Sequence, residues 1–228
     1  MQTEAAAAQL DNLFDMVLAG GGLMVPIGLC SIIALAYIVE RSVRLRGSRL
    51  GGAGFGDQLC DKVANEGPDA GLDLCVQEET STARVLAAGL KRANAPWVER
   101  EKAVEDAGSR EVQRLSANLT PLVVIGMIAP LLGLLGTVWG MIDAFANIAL
   151  GEGLGKPEAL AAGISQALVT TAAGLAVAIP TQAAYYYYKG RIDRFVRRTE
   201  DLYVEISDLL SPTSRSERAT AGSEPTAG

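Results

Sequence analysis

The side chains that could do chemistry in this sequence are hydroxyls and amides placed inside long uncharged stretches. Residues 115–142 and 159–188 contain no Asp, Glu, Lys, Arg or His. The polar side chains that we single out within them are Thr137, Gln166, Thr170 and Thr171. These groups can form hydrogen bonds with water or with a passing proton donor, but none of them titrates near neutral pH. If protons move along them, the titrating carboxylate must come from another polypeptide.

Thr137 and Thr171 have comparable depths in two stretches that would cross a bilayer as antiparallel helices. Thr137 precedes Asp143 by six residues, and Thr171 follows Gly163 by eight. With a rise of about 1.5 Å per residue, both would lie roughly 10 Å below the outer boundary. This spacing predicts a polar track between the two helices. The alternative is that each hydroxyl bonds to a carbonyl of its own helix and serves only packing.

Small residues recur at helical spacing in the same two stretches. Such residues let transmembrane helices approach each other closely, which is the main source of helix association in lipid. The glycines that we predict to mediate helix packing are Gly133, Gly136, Gly140 and Gly174.

The composition favours a membrane protein and argues against several other classes. The chain has 228 residues, of which 49% are hydrophobic, and these gather into three uncharged runs. It has no histidine, and we find no phosphate-binding P-loop and no GxSxG motif, so we predict no enzyme, no cofactor and no metal site. The net charge of -6 argues against nucleic acid as a partner.

The three runs predict an all-α integral membrane protein with three transmembrane helices, in which the long second and third helices extend into a helical cytoplasmic domain. A spanning helix needs about 20 mostly apolar residues, and each run is long enough. In chain order we expect a periplasmic lead-in (1–15), a first transmembrane helix (16–39), a cytoplasmic helical segment (40–119), a second transmembrane helix (120–145), a periplasmic loop (146–160), a third transmembrane helix (161–188), a cytoplasmic helix (189–210) and a disordered tail (211–228).

Two local breaks refine these expectations. Glycines at 20–22 and Pro26 weaken the start of the first run, so its regular helix should begin near Leu23. Between Pro96 and the second run we find no breaker before Pro121, which predicts one helix running into the second span.

Two clusters of arginine indicate the orientation of the chain in the membrane. Those after the first run are Arg41, Arg44, Arg46 and Arg49, and those after the third are Arg191, Arg194, Arg197 and Arg198. The positive-inside rule makes both clusters cytoplasmic, which places the N-terminus outside the cytoplasm and the C-terminus inside it. The second cluster is also suited to binding anionic membrane lipid, although anchoring of the topology alone would explain it.

Three segments carry a resemblance to a known family. Residues 82–90 (TARVLAAGL), 128–145 (IAPLLGLLGTVWGMIDAF) and 156–180 (KPEALAAGISQALVTTAAGLAVAIP) resemble the MotA/TolQ/ExbB proton channel family. The order of spans and cytoplasmic segment is similar as well. Three spans favour the ExbB/TolQ branch over the four-span flagellar MotA.

The resemblance implies an inner-membrane homopentamer whose second and third spans line a central pore. It also implies two partners, an ExbD- or TolR-like single-span protein with a membrane aspartate and a TonB- or TolA-like transducer on which the proton gradient does work. Thr137 and Thr171 match the family's pore threonines. Gln166 stands where many members have glutamate, so this chain departs from the family at a group that would titrate.

A second hypothesis is a non-conducting membrane scaffold, in which the glycines only pack helices and the cytoplasmic helices recruit partners. The two hypotheses differ in one measurable respect. Removing the hydroxyls of Thr137 and Thr171 should abolish energised function in a proton path and leave it intact in a scaffold.

Overall fold

The computed structural model describes residues 21–45, 50–51, 54–149 and 157–211 of the chain. Its α-helices, numbered in chain order, are α1 (Met24–Arg44), α2 (Phe55–Glu66), α3 (Pro68–Gln77), α4 (Ser81–Leu90), α5 (Trp97–Ser116), α6 (Thr120–Ala149) and α7 (Pro157–Leu209). These ranges contain no β-strand, and the predicted all-α class is confirmed.

Three helical stretches among the described residues are long and apolar enough to cross a membrane. They are Met24–Arg44, Trp97–Ala146 and Ala161–Leu209. The three predicted transmembrane helices are therefore confirmed. The third continues well beyond its apolar part, because α7 has 53 residues in all.

The chain divides into two compact units. Among the described residues, the apolar unit comprises 21–40, 118–149 and 157–187, and the polar unit comprises 41–45, 50–51, 54–117 and 188–211. The apolar unit therefore contains most of α1, all of α6 and the first part of α7. The polar unit contains α2 to α5 and the last part of α7.

The beginning of α6 follows from Pro121. Proline has no N–H, and its ring crowds the carbonyl four residues earlier, here that of Ala117. The chain accordingly makes a 3-10 turn at Ala117–Leu119 before α6 starts at Thr120, and Pro121 falls in the first turn of α6, where a missing donor is harmless. The chain stays helical through this turn, so the expectation of a helix running from near Pro96 into the second span holds, with a local 3-10 turn at Ala117–Leu119.

The limits of the other spans differ slightly from the expected ones. Helix α1 begins at Met24, next to the expected Leu23, with Pro26 in its first turn. Helix α6 runs to Ala149, four residues past the expected end of the second span. The predicted lead-in (1–15), residues 150–156 of the predicted loop and nearly all of the predicted tail lie outside the described residues. The rest of that predicted loop is helical, because residues 146–149 belong to α6 and residues 157–160 to α7.

The polar unit has a conventional core of large apolar side chains. Its buried members are Phe55, Leu59, Cys60, Val63, Cys75, Ala83, Leu86, Leu90, Ile206 and Leu210. Helix α7 contributes Ile206, and Leu210 follows directly after its end, so the C-terminal end of α7 packs against α2, α3 and α4. Thr80 caps α4, because its Oγ1 accepts a hydrogen bond from the amide of Ala83 at 3.3 Å.

Candidate functional site

Glycines bring the backbones of α6 and α7 into direct contact. A Cβ added at Gly174 would lie 2.5 Å from the carbonyl oxygen of Ala129, and one added at Gly133 would lie 3.0 Å from Cα of Thr171. Both distances involve backbone atoms, which cannot move aside as a flexible side chain can. At this helix spacing Gly174 therefore admits only glycine, and a Cβ at Gly133 would push the two backbones apart by a few tenths of an ångström.

Gly136 and Gly140 also face α7. A Cβ added at Gly136 would meet the side chain of Thr170, with its Cβ only 2.7 Å away, and one added at Gly140 would lie 3.1 Å from Cβ of Ala167. All four glycines singled out in the sequence thus lie between α6 and α7.

Thr171 bonds across this contact. Its Oγ1 donates a hydrogen bond to the carbonyl oxygen of Gly133 at 2.9 Å. In an α-helix the carbonyl of Gly133 is also the acceptor for the amide of residue 137. The hydroxyls of Thr171 and Thr137 thus bond to carbonyls of consecutive residues of α6, Gly133 and Leu134, which differ by about 1.5 Å along the helix axis.

Thr137 and Thr170 donate within their own helices. The hydroxyl of Thr137 bonds to the carbonyl of Leu134 at 2.7 Å, and that of Thr170 bonds to the carbonyl of Gln166 at 2.9 Å. Thr170 is also almost completely buried, at 1% exposure. These two bonds have the geometry of the packing alternative, whereas Thr171 donates to the neighbouring helix.

Gln166 contacts the residues that precede α1. Its carboxamide lies against Gly21, where an added Cβ would overlap Nε2 and lie 3.3 Å from Cδ. Gly21 also has φ of +73°, a conformation that favours glycine. The sequence did not predict this contact, although the glycines at 20–22 are a signal that the backbone there approaches something closely.

The other side of Thr137 borders an apolar surface of α6. Thr137 lines a shallow depression together with Val138, Met141, Ile142, Phe145, Ala146 and Ala149. Several of its members are widely exposed, including Ile142 at 61%. A polar side chain at the edge of an exposed apolar surface is suited to contact with another apolar helix.

A buried ionic cluster in the polar unit was not predicted from the sequence. Glu111 is 7% exposed and accepts hydrogen bonds from Ser81 at 2.8 Å and from Arg84 at 2.6 Å, and Arg114 lies 3.8 Å away. Burial alone would raise the pKa of Glu111, but the hydrogen bonds from Arg84 and Ser81 and the two arginine charges outweigh it and hold the pKa below its ordinary value. The cluster ties α4 to α5.

Buried thiols in the polar unit are chemically quiet. Burial raises the pKa of Cys75 to about 12, and burial together with nearby Glu205 raises the pKa of Cys60 to about 11. Within the described residues, no group of three or more Cys, Asp or Glu side chains is arranged to hold a metal ion.

Three apolar helices, two of them in glycine-mediated contact with a threonine hydroxyl between them, define the chain as an α-helical integral membrane protein. Residues 77–201 match the model of the MotA/TolQ/ExbB proton channel family. The chain belongs to this family, and the resemblance inferred from its three segments is confirmed.

Individual relatives agree with this assignment. The chain is 36% identical over 184 residues to the biopolymer transport protein ExbB-like 1 of Synechocystis, covering 75% of this chain and 68% of that protein. It is 32% identical over 184 residues to the biopolymer transport protein exbB1 of Vibrio cholerae, covering 78% and 80%. It is also 35% identical over 109 residues to the Tol-Pal system protein TolQ of Pseudomonas aeruginosa, covering 48% and 47%.

Proposed function

We propose that this chain is the pore-forming subunit of an inner-membrane complex driven by the proton gradient. In this proposal an ExbD- or TolR-like partner supplies the titrating carboxylate, and the complex does work on a TonB- or TolA-type transducer. The observation that carries the proposal is the hydrogen bond from Thr171 to Gly133, which puts a hydroxyl between two spans that have no ionisable residue of their own at that depth. The names of the relatives, biopolymer transport and Tol-Pal proteins, support the link to transport.

The hydrogen bonds of the threonines define what they can offer a partner. Thr137 and Thr171 each donate their hydroxyl proton to a backbone carbonyl, so the lone pairs of each oxygen remain available as acceptors. A protonated carboxylic acid can donate to such an oxygen, whereas a carboxylate cannot. We infer that these hydroxyls favour the neutral, protonated form of a partner's carboxyl group as it passes through the membrane.

The apolar surface of α6 supports an assembly of several copies around the partner. Thr137 lies at the edge of that surface, and its neighbours Val138 and Ile142 are exposed at 51% and 61% in the single chain. A ring of five copies, with α6 and α7 facing a central helix of the partner, would bring the hydroxyls of Thr137 and Thr171 to the same pore. The proposed topology has the N-terminus in the periplasm and the C-terminus in the cytoplasm, with both arginine clusters cytoplasmic.

The scaffold function is the second candidate, and one observation favours it. Thr137 and Thr170 donate to carbonyls of their own helices, as threonines that serve only packing do. In a scaffold, removing these hydroxyls would leave the work done by the complex unchanged.

The test is proton flux through the reconstituted complex. The chain is co-purified with its single-span partner, its stoichiometry is checked by native mass spectrometry, and flux is measured in liposomes for Thr171→Ala, Thr137→Ala and the double variant. We expect the double variant to lose at least about tenfold in flux, because two hydrogen bonds of about 1 kcal/mol each to the partner's acid are lost, and Thr171→Ser to retain most of it. Thr199→Ala is the matched control, because this buried threonine of the polar unit bonds to its own helix at 2.8 Å. Wild-type flux from an assembled double variant would favour the scaffold.

A further inference from the structure

A positively charged cavity lies beside the last part of α7 in the polar unit. Its volume is about 470 Å³, and its lining residues are Leu50, Gly51, Thr82, Arg191, Arg194, Phe195, Arg197, Arg198 and Asp201. Four guanidinium groups against one carboxylate give this lining a formal charge of +3. A cavity with this charge selects an anion.

The apolar part of the cavity is firmly held. Phe195 and Leu50 are buried, at 6% and 9% exposure. The hydroxyl of Thr82, itself buried, donates to the carbonyl oxygen of Leu50 at 2.6 Å. Gly51 has φ of +131°, and an added Cβ there would lie 2.5 Å from Oγ1 of Thr82. The wall opposite α7 therefore has a fixed position against which a ligand can be held.

The arginines form a single binding face. Arg191, Arg194 and Arg198 are spaced by three and four residues, so they share one side of α7. One guanidinium group binds two phosphate oxygens at once through two parallel hydrogen bonds. Phosphate is therefore the anion that fits these arginines best.

The position of the cavity along α7 favours the phosphate of a lipid. Tyr185–Tyr188 end the apolar part of the helix and have the composition of an interfacial aromatic belt. Arg191 and Arg194 follow Tyr188 by three and six residues, which is about 4.5 and 9 Å along the axis. The layer of headgroups outside the hydrocarbon core is about 5 to 8 Å thick on each side. The first two arginines thus lie at or just beyond headgroup depth.

We propose that this cavity is a binding site for the phosphate of an anionic phospholipid, held by Arg191, Arg194 and Arg198 against the wall formed by Gly51 and Thr82. Bound lipid would neutralise part of the +3 charge and attach the polar unit to the membrane surface through α7. This site is separate from the α6–α7 contact, so it stands independently of the proposed proton path.

The test measures lipid binding by the full chain with its natural partner, purified and delipidated in detergent. The probe is dioctanoyl phosphatidylglycerol, with dioctanoyl phosphatidylcholine as the zwitterionic control, and the readouts are native mass spectrometry and the shift in Tm. We expect Arg194→Gln combined with Arg198→Gln to weaken phosphatidylglycerol binding by at least about tenfold, because two charge-assisted hydrogen-bonding groups are lost. Arg92→Gln combined with Arg110→Gln is the matched control, since both are exposed arginines of the polar unit outside this cavity.

The outcomes separate the possible ligands. Equal phosphatidylglycerol binding by the cavity variant and the control variant would overturn the proposal, and so would equal binding of the two lipids by the wild-type chain. Inorganic phosphate that stabilises the wild-type chain as strongly as the lipid would overturn the lipid assignment. Should the double variant fail to fold, the wild-type comparison of the two lipids at low and high salt still decides, because the proposal requires a preference for phosphatidylglycerol that salt weakens.

Discussion

The polar unit and the apolar unit are each stabilised internally, but by opposite kinds of packing. In the polar unit, side chains as large as Leu59, Leu86 and Phe55 fill a core, and a buried carboxylate, Glu111, is neutralised by arginine. In the apolar unit, α6 and α7 come into close contact because Gly133 and Gly174 have no side chain.

The solvent explains this difference. In water, burying a large apolar side chain is favourable, so the polar unit gains stability from size. In lipid the surroundings are as apolar as leucine, so helices gain mainly from close backbone contact and from hydrogen bonds such as that of Thr171 to Gly133. The following substitutions test this contrast, from the largest expected effect to the smallest.

Leu59→Ala should destabilise the chain by about 3 kcal/mol, because Leu59 is 0% exposed and its removal leaves a cavity in the polar core. Leu131→Ala, in which a residue 61% exposed on α6 is truncated, should change stability by less than about 0.5 kcal/mol. Thermal unfolding of the two purified variants in the same detergent compares them. Equal losses would show that large side chains stabilise both units alike.

Gly174→Ala should destabilise the apolar unit by about 2 kcal/mol, because a methyl group would press on the carbonyl of Ala129 and overpack the contact. Gly190→Ala is the control, since an added Cβ there meets nothing within 4 Å in the same helix. The control should be neutral or slightly stabilising. If the two alanine substitutions change Tm equally, close glycine contact is not what stabilises the apolar unit.

Glu111→Gln should destabilise the polar unit by about 1.5 kcal/mol at neutral pH, because hydrogen bonds to a buried charged group are weakened. The pKa of Glu111 is lowered by folding, so its contribution is complete above the ordinary value of 4.5 and is lost as the pH falls through the lower folded value. Stability measured against pH should therefore show wild type and variant converging below about pH 4.5. If the difference in stability between wild type and variant stays constant down to strongly acidic pH, the effect comes from the shape of the side chain at position 111 rather than from its charge.

Thr171→Ala should destabilise the apolar unit by only about 0.6 kcal/mol, a typical value for an interhelical hydrogen bond in a membrane. Thr171→Ser keeps the donor and should lose less, whereas Thr137→Ala removes a bond within one helix and should leave the α6–α7 contact unchanged. Denaturant titration of the three variants measures these differences. A loss of several kcal/mol at Thr171 would mean that a polar bond, rather than glycine contact, dominates the apolar unit.

Much of the fold could be predicted from the sequence. Uncharged runs longer than a bilayer crossing indicated the three spans, and the family resemblance followed from segments such as 156–180. The 3-10 turn before α6 was missed because Pro121 was judged only as a neighbour of the span, although its effect falls on Ala117, four residues earlier. The cluster around Glu111 was missed because Ser81, Arg84 and Glu111 lie on two different helices, and no spacing in the sequence shows which faces of those helices meet.

The sequence by itself determined which segments are apolar, where charge is absent and which residues are small enough for close helix contact, because these are properties of composition and order. Only the tertiary structure decided the register between α6 and α7. That register pairs Thr171 with Gly133, and the tertiary structure also places Gln166 against Gly21. The physical reason is that helix register depends on the fit of many backbone contacts at once, such as Gly174 against Ala129, and the sum of these contacts is not visible in any one spacing.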